Sequence, residues 1–399
     1  MPTVDAWRLP WLRATVPHGV LDVLRGCNIT CDACYNALPP RLKTLPEVEA
    51  DLDELQRRRP LSSVTIAGGE ITLHPGLVDI VRLVKRRGLG AELCTNGVAL
   101  TPALLAELKA AGADIVLLHI DGGQHRPDLP ARPGAAELRA LWREKTRLVA
   151  AHGIDVGLVL TAREDNLAEV SEVVRFTLES PEATYLLVTL YRDLADVATV
   201  RGGIDGGMRA ERIPGGRRSA PDNLTNRRIL RHLDEAHGLQ PFGYLGSNRD
   251  PDDPRWLSYL VATAADRAGG FASHAVRPSR FEPALLRVLL RATGRYPMYL
   301  RQNAPVLALQ LVLNGLAGGA LRRNLAFLAR AARPGVALRA KRLLFQCLAE
   351  VAGDGEVIHC EPCPDAVVKG GRLVPVCITD KVDAPPGSRR CGTTTPGSF

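Results

Sequence analysis

Residues 20–34 read Val20-Leu21-Asp22-Val23-Leu24-Arg25-Gly26-Cys27-Asn28-Ile29-Thr30-Cys31-Asp32-Ala33-Cys34. Four apolar side chains in the first five residues predict a buried strand, and Gly26 ends it. Three thiols follow within eight residues, a span that one loop can turn toward a single point. Thiolates are the usual ligands of iron–sulfur clusters, and three of them leave one iron of a four-iron cluster open to an exchangeable partner. A zinc site would ordinarily want a fourth ligand, and three unconnected buried cysteines are the plainest alternative. On the triplet alone these readings stay open.

Outward from this stretch the chain alternates two periodicities. Strand-like runs at Val20–Leu24, Ser63–Ile66, Ala91–Cys94, Ile115–Ile120, Asp155–Leu160 and Tyr185–Leu190 are separated by amphipathic stretches at 46–58, 76–87, 102–111, 136–151 and 167–179. Repeated βα units predict a parallel sheet covered by helices, wound as an incomplete barrel or a doubly wound sheet. Ligands then belong at the strand ends. The second strand ends in Gly68-Gly69-Glu70: the glycines permit close backbone approach, and Glu70 offers an acceptor for an ammonium group, although a plain βα turn has the same composition. Thr95-Asn96-Gly97 after the third strand is strong as turn chemistry. After the fourth strand Asp121 offers a carboxylate acceptor, while His119 alternates onto the same face as a satisfied core histidine or a catalytic group. Arg163 and Arg192, after the fifth and sixth strands, suit either an anionic group or their neighbouring carboxylates.

Cys27-x3-Cys31-x2-Cys34 after strand one, Gly68-Gly69-Glu70 after strand two and Thr95-Asn96-Gly97 after strand three together resemble the radical S-adenosylmethionine (SAM) superfamily, over roughly residues 18–192. The resemblance implies a partial (β/α)6 barrel, placed here at 18–193, and a [4Fe–4S] cluster on Cys27, Cys31 and Cys34. It implies that SAM occupies the open iron and is reductively cleaved to methionine and a 5′-deoxyadenosyl radical that takes hydrogen from a substrate. On the same basis Gly68, Gly69 and Glu70 meet the SAM amino group, Thr95 and Asn96 belong to the cofactor site, and Asp121 meets the ribose. The aromatic residue often found before the third cysteine is Ala33 here, and Tyr35 becomes the adenine-side candidate. An electron donor such as flavodoxin or ferredoxin is implied as well.

Residues 347–399 hold five of the nine cysteines. Cys347-x12-Cys360-x2-Cys363-x13-Cys377 supplies four thiolates for a second centre, expected as an auxiliary [4Fe–4S] cluster with a four-cysteine zinc site as the alternative. Cys391 competes with Cys347 for the fourth position. The segment loosely resembles the tail of tetraether lipid synthase-like radical SAM proteins, and on that comparison Cys347 is the ligand.

Hydrophobic residues make up 46% and charged residues 24% of 399, which argues for a folded globular chain. The arm at 1–17 lacks the pattern of a secretory signal, so a cytoplasmic location is expected, where cysteines serve as ligands more often than as disulfides. Residues 194–280, including RGGIDGGMRAERIPGG, read as an irregular insertion or lid. The last two segments form a helical region at 281–346 and a cysteine-rich extension.

Between Glu282 and Glu350 there are eleven cationic residues and no acid. Basic amphipathic helices suggest contact with a membrane surface or an anionic lipid, with ordinary core-facing helices as an equal alternative. The uncharged stretch 302–321 carries too many polar residues and glycines to span a bilayer. Nucleic acid ranks last, because no aromatic stacking platform accompanies the arginines. The expected activity is therefore radical SAM chemistry, a C–C bond formation or oxidation, on a lipid or other hydrophobic small molecule. Modification of a peptide or sugar is the alternative, and a zinc-stabilised binding module the non-enzymatic one. No cobalamin-binding segment is apparent.

Overall fold

The computed structural model of the chain describes residues 6–34, 40–214, 224–266, 271–279, 281–297 and 303–383. Tyr35 and Cys391 lie outside them. Strands β1 His18–Arg25, β2 Ser63–Gly68, β3 Gly90–Thr95, β4 Ile115–His119, β5 Asp155–Ala162 and β6 Ala183–Leu190 are the six expected ones. They pair in parallel in chain order. Helices α1 Leu45–Arg58, α2 Leu77–Arg86, α3 Pro102–Ala111, α4 Ala135–Ala150 and α5 Leu167–Glu179 make the crossovers.

Local sequence sets these boundaries. The Thr44 hydroxyl accepts from Glu47 N while the Glu47 carboxylate accepts from Thr44 N, a reciprocal cap that starts α1. Thr101 caps α3, and Gly112 ends it in the left-handed conformation. Strand alternation then sorts the two faces of the sheet. Leu21, Val64, Ile66, Leu93, Val116 and Leu158 belong to one large buried cluster with Leu52, Ile80 and Trp142 of the helices. Each such side chain contributes about 1.5–3 kcal/mol by leaving water.

The opposite face mixes polar and apolar side chains. Register places His18 beside Ser63, Thr65 beside Glu92, His119 beside Val159 and Thr161 beside Thr189.

Beyond β6 the structure departs from the sequence reading. Residues 194–280 contain a hairpin, β7 Val197–Gly203 with β8 Gly207–Arg212, then α6 Asn226–His237 and strands β9 Gly243–Ser247, β10 Trp256–Ala265 and β11 Phe271–Ala275. Helices α7 Phe281–Thr293, α8 Ala304–Gly318 and α9 Leu321–Ala331 follow, then Pro334-Gly335 interrupts the helical pattern and residues Ala337–Cys347 form β12. β12 adds in parallel to β6, and β10 pairs antiparallel to β12. The sheet order β9-β10-β12-β6-β5-β4-β3-β2-β1 is an open half-barrel.

The carboxy-terminal segment bridges that opening. Hairpin β13 Ala366–Lys369 with β14 Arg372–Pro375 packs on β1 and α1. Asp365 lies 3.8 Å from His18 Nε2 on the first strand and shares a hydrogen bond with Gln346 on β12.

Candidate cofactor and metal sites

The cysteine loop leaves β1 at Gly26 and is fixed on two sides. On the β2 side Gly69 N donates to Leu24 O at 2.6 Å and Glu70 N to Gly26 O at 2.8 Å. A Cβ at Gly69 would stand 1.9 Å from Gly26 O, so here the second glycine admits the cysteine loop itself rather than a ligand. On the β4 side Thr30 and Cys31 form a short antiparallel ribbon with His125 and Gln124, and Asp32 N donates to Gly123 O at 2.9 Å. The Asp32 carboxylate pairs with His125 at 2.9 Å and lies 3.7 Å from Arg163.

Asn96 reaches the loop from β3. Its amide donates to Asn28 Oδ1 at 2.7 Å and to Cys27 Sγ at 3.6 Å. Burial pushes the Cys27 and Cys31 thiols above their ordinary pKa, so a metal binding there must release their protons. Among the described residues no three His, Cys, Asp or Glu side chains stand closed around a metal position. The donor set still fits an iron–sulfur cluster: three thiols on one braced loop, with an amide donor directed at one sulfur.

Glu70 is buried and hydrogen-bonded through both carboxylate oxygens. Its carboxylate accepts from Thr72 N at 3.0 Å, the Thr72 hydroxyl at 2.6 Å, Asn96 N at 2.6 Å and the Thr95 hydroxyl. A carboxylate has about four acceptor positions. Three of these bonds fall on Oε1 and one on Oε2, so Glu70 clamps the turns after β2 and β3 together while Oε2 keeps one acceptor position for an ammonium group.

Asp121 accepts from Gly123 N at 3.0 Å, Thr161 N at 3.1 Å and His119 Nε2 at 3.0 Å. Burial alone would raise its pKa, yet the hydrogen bonds from His119, Thr161 and Gly123 outweigh it and hold the group below the ordinary aspartate value. His119 is therefore a partner of Asp121, not a histidine packed in apolar surroundings. Arg192 does not reach this site: its guanidinium is committed to Glu350 at 3.1 Å and to the carbonyls of Tyr191 and Leu224. Arg163 pairs with Asp165 at 2.9 Å.

The structure also brings in residues that the sequence reading missed. Arg126 is buried beside the cysteine loop and donates to Asn96 O at 3.0 Å, to Gln124 Oε1 at 2.8 Å and to Asp128. Its place in the strand-end loop after Asp121 was the available signal. Glu169 on α5 accepts from Gly122 N at 2.9 Å; burial and the Asp121 charge push its carboxyl up to about 7. Nothing in its helical surroundings marks it in sequence.

The second cysteine group forms where the tail crosses the half-barrel. Cys360 and Cys363 are hydrogen-bonded neighbours, with Cys377 close to both. Cys377 Sγ accepts from Ala349 N at 3.3 Å, just past Cys347 at the end of β12. Burial, with Cys360 and Asp365 nearby, pushes the Cys377 thiol up to about 12. Two buried arginines flank the group. Arg59 donates to Cys363 O at 2.9 Å, and Arg255 donates to Leu348 O at 2.9 Å and Glu350 at 2.6 Å. Each keeps a buried Nε–H with no hydrogen-bond partner. Cationic donors beside four thiols fit an anionic thiolate-held group.

Residues 21–177 match the radical SAM superfamily, and this part of the chain is a radical SAM domain. Members of that superfamily use a [4Fe–4S] cluster and SAM. Over 174 residues the chain is 27% identical to the tungsten-containing aldehyde ferredoxin oxidoreductase cofactor-modifying protein of Pyrococcus furiosus, covering 40% of this chain and 47% of that protein. It is 27% identical over 182 residues to the PqqA peptide cyclase of Ruegeria pomeroyi, covering 43% and 46%. The chain thus spans about half the length of the curated relatives it matches. The structure of Streptococcus suis SuiB bound to S-adenosylmethionine aligns with 45% of this chain and 42% of its own, at a TM-score of 0.38 and 14% identity.

Proposed function

We propose that the chain is a radical SAM enzyme that abstracts hydrogen from a polar substrate, a peptide or a peptide-derived cofactor precursor. The observation that carries the chemistry is the bracing of the Cys27–Cys34 loop between the Gly69 turn, Asn96 and the Gln124–His125 ribbon. A [4Fe–4S] cluster held there by Cys27, Cys31 and Cys34 would supply the electron that cleaves SAM to methionine and the 5′-deoxyadenosyl radical. The protein's own contribution is placement. Asn96 donates toward Cys27, Glu70 locks the two turns that face the loop, and Asp121 retains one acceptor position for a ribose hydroxyl.

Two observations support a polar substrate over the lipid expected from the sequence. The sheet face away from the helices presents His119, Thr161, Thr189 and Gln346, and one of the relatives named above is a peptide cyclase. A lipid substrate has in its favour the exposed helices of the carboxy-terminal half and the loose resemblance of the cysteine-rich tail. Cys347, Cys360, Cys363 and Cys377 are proposed to hold an auxiliary cluster that accepts or relays an electron.

Anaerobic reconstitution with SAM and a reductant tests the chemistry by the release of 5′-deoxyadenosine. A colourless, zinc-loaded protein that releases none would defeat it. About eight irons per chain, falling to about four in a Cys360→Ala/Cys363→Ala variant, would place the second cluster.

A further inference from the structure

Helices α7, α8 and α9 form a layer over the β10–β12 end of the sheet. Leu307, Leu311 and Phe327 pack inward with Leu260 and Ala262 of β10. The polar anchors are also internal: Asn314 donates to Arg277 O at 2.8 Å, and Asn324 joins His274 and Leu311 O. The inner side of the layer is therefore packed on the sheet, with Asn314 Oδ1 buried and without a hydrogen-bond partner.

Its outer side is unusual in two respects. First, α8 carries no charged side chain and, Gln310 and Asn314 apart, only apolar ones, a composition ordinarily found in buried helices, yet Val306, Leu309 and Leu316 are 46%, 58% and 61% exposed. Leu285 and Val288 of α7 and Leu325 of α9 are exposed beside it. Second, the flanking helices expose Arg287, Arg291, Arg322, Arg323 and Arg330, and no acid answers them. Among the described residues none of these five forms an ion pair, whereas Arg82, Arg175 and Arg201 on other surfaces each have a carboxylate partner. Glu282, the acid that opens the layer, is buried and bonded to Ser279. Burial and the neighbouring Arg277 lower the Arg323 pKa, as expected where cations crowd without counter-charge.

We propose that this face docks on an anionic membrane surface. An uncharged apolar helix between two arginine-bearing ones matches the two phases of such a surface: side chains of α8 enter the acyl boundary while the arginines meet lipid phosphates. No helix among the described residues is long and apolar enough to cross a membrane, so the contact is peripheral. An acidic protein would have to supply an apolar patch fitted to α8 as well as its charges, and a nucleic acid would leave the leucines uncovered. The proposal does not depend on the reaction assigned above.

The test is flotation of the full-length protein with vesicles of phosphatidylcholine alone and of phosphatidylcholine mixed with phosphatidylglycerol, at low and high salt. Recovery with the anionic vesicles is expected to exceed that with neutral ones by about tenfold at low salt and to fall at high salt. Arg322→Glu/Arg323→Glu and Leu309→Asp/Leu316→Asp variants, altered only at exposed positions, should each lose it while unfolding at the parent temperature. Failure of the folded parent to float with anionic vesicles overturns the proposal. So does flotation that both variants retain. Concentration-dependent self-association abolished by the leucine variant would assign the face to a second copy, and nucleic-acid binding abolished by the arginine variant would assign it there; either overturns the lipid docking.

Discussion

Replacing Gly69 by alanine tests whether the cysteine loop depends on its packing against the β2 turn. The added methyl carbon would stand 1.9 Å from Gly26 O and 2.7 Å from both Gly26 N and Gly26 C. Ordinary contact begins near 3.4 Å, so the loop must retreat by roughly 1.5 Å, and the obstacle is backbone that cannot rotate aside. That retreat breaks the Glu70 N to Gly26 O bond and strains the Gly69 N to Leu24 O bond. Overpacking costs about 1–3 kcal/mol and each lost hydrogen bond about 1 kcal/mol, giving a destabilisation of roughly 2–4 kcal/mol. The functional loss should be larger, because Cys27 follows Gly26 directly and the loop that carries the three thiols would shift with it. Thermal unfolding and iron content after anaerobic reconstitution report the two effects, with Gly206→Ala as the control, since a Cβ there meets no atom within 4 Å. About four irons per chain should be lost in Gly69→Ala and none in the control. If Gly69→Ala matches Gly206→Ala in both measurements, the loop does not rely on this contact and the reasoning is refuted.

Three further outcomes follow from the geometry. Glu169 has a folded-state pKa of about 7 against an ordinary 4.5, so the native state holds a proton that the unfolded chain has released. Its stabilisation is complete below the lower value and is lost as pH rises through about 7; Glu169→Gln should flatten that limb and be more stable at pH 8, by at most roughly 3 kcal/mol, in urea titrations. Equal pH profiles would remove Glu169 from the account. Arg255→Met deletes a buried cation beside Cys347 while Glu350 keeps Arg192. With a cluster at the second group, its midpoint potential should become more negative by about 59 mV for each tenfold change in the one-electron equilibrium, at unchanged iron content; an unmoved potential in spectroelectrochemical titration would contradict this. Asn96→Ala removes the donor facing Cys27 and should slow reconstitution of the first cluster, followed as growth of iron–sulfur absorbance, without changing iron bound at the second.

The six βα units and the cysteine loop were legible because their determinants are local. Apolar alternation in Val20–Leu24, the Thr44 and Thr101 caps and the turn residues after each strand act within a few positions of one another. The carboxy-terminal cysteine cluster was visible in count and spacing, which left Cys347 and Cys391 as competing members. Other features were not, because their partners are far apart in sequence. Residues 337–347 carry mixed apolar and basic side chains that continue the arginine-rich helices, and only pairing with Tyr185–Leu190 and Trp256–Ala265 makes them a strand. Arg59, Arg126 and Arg255 sit among many arginines, and burial alone separates them from the solvated ones.

By itself the sequence determined a parallel βα core with a thiol-rich loop at the end of its first strand, since hydrophobic periodicity and turn chemistry are short-range properties. Tertiary structure decided what the motif residues do. Glu70 is a clamp because Thr72, Thr95 and Asn96 converge on it, and His119 belongs to Asp121 because β4 and β5 bring Thr161 alongside. The tail spans the opening because Asp365 meets His18 and Gln346, on the first and last strands of the parallel part of the sheet. Those contacts join segments up to hundreds of residues apart, and a carboxylate's last free acceptor position appears only after they are counted.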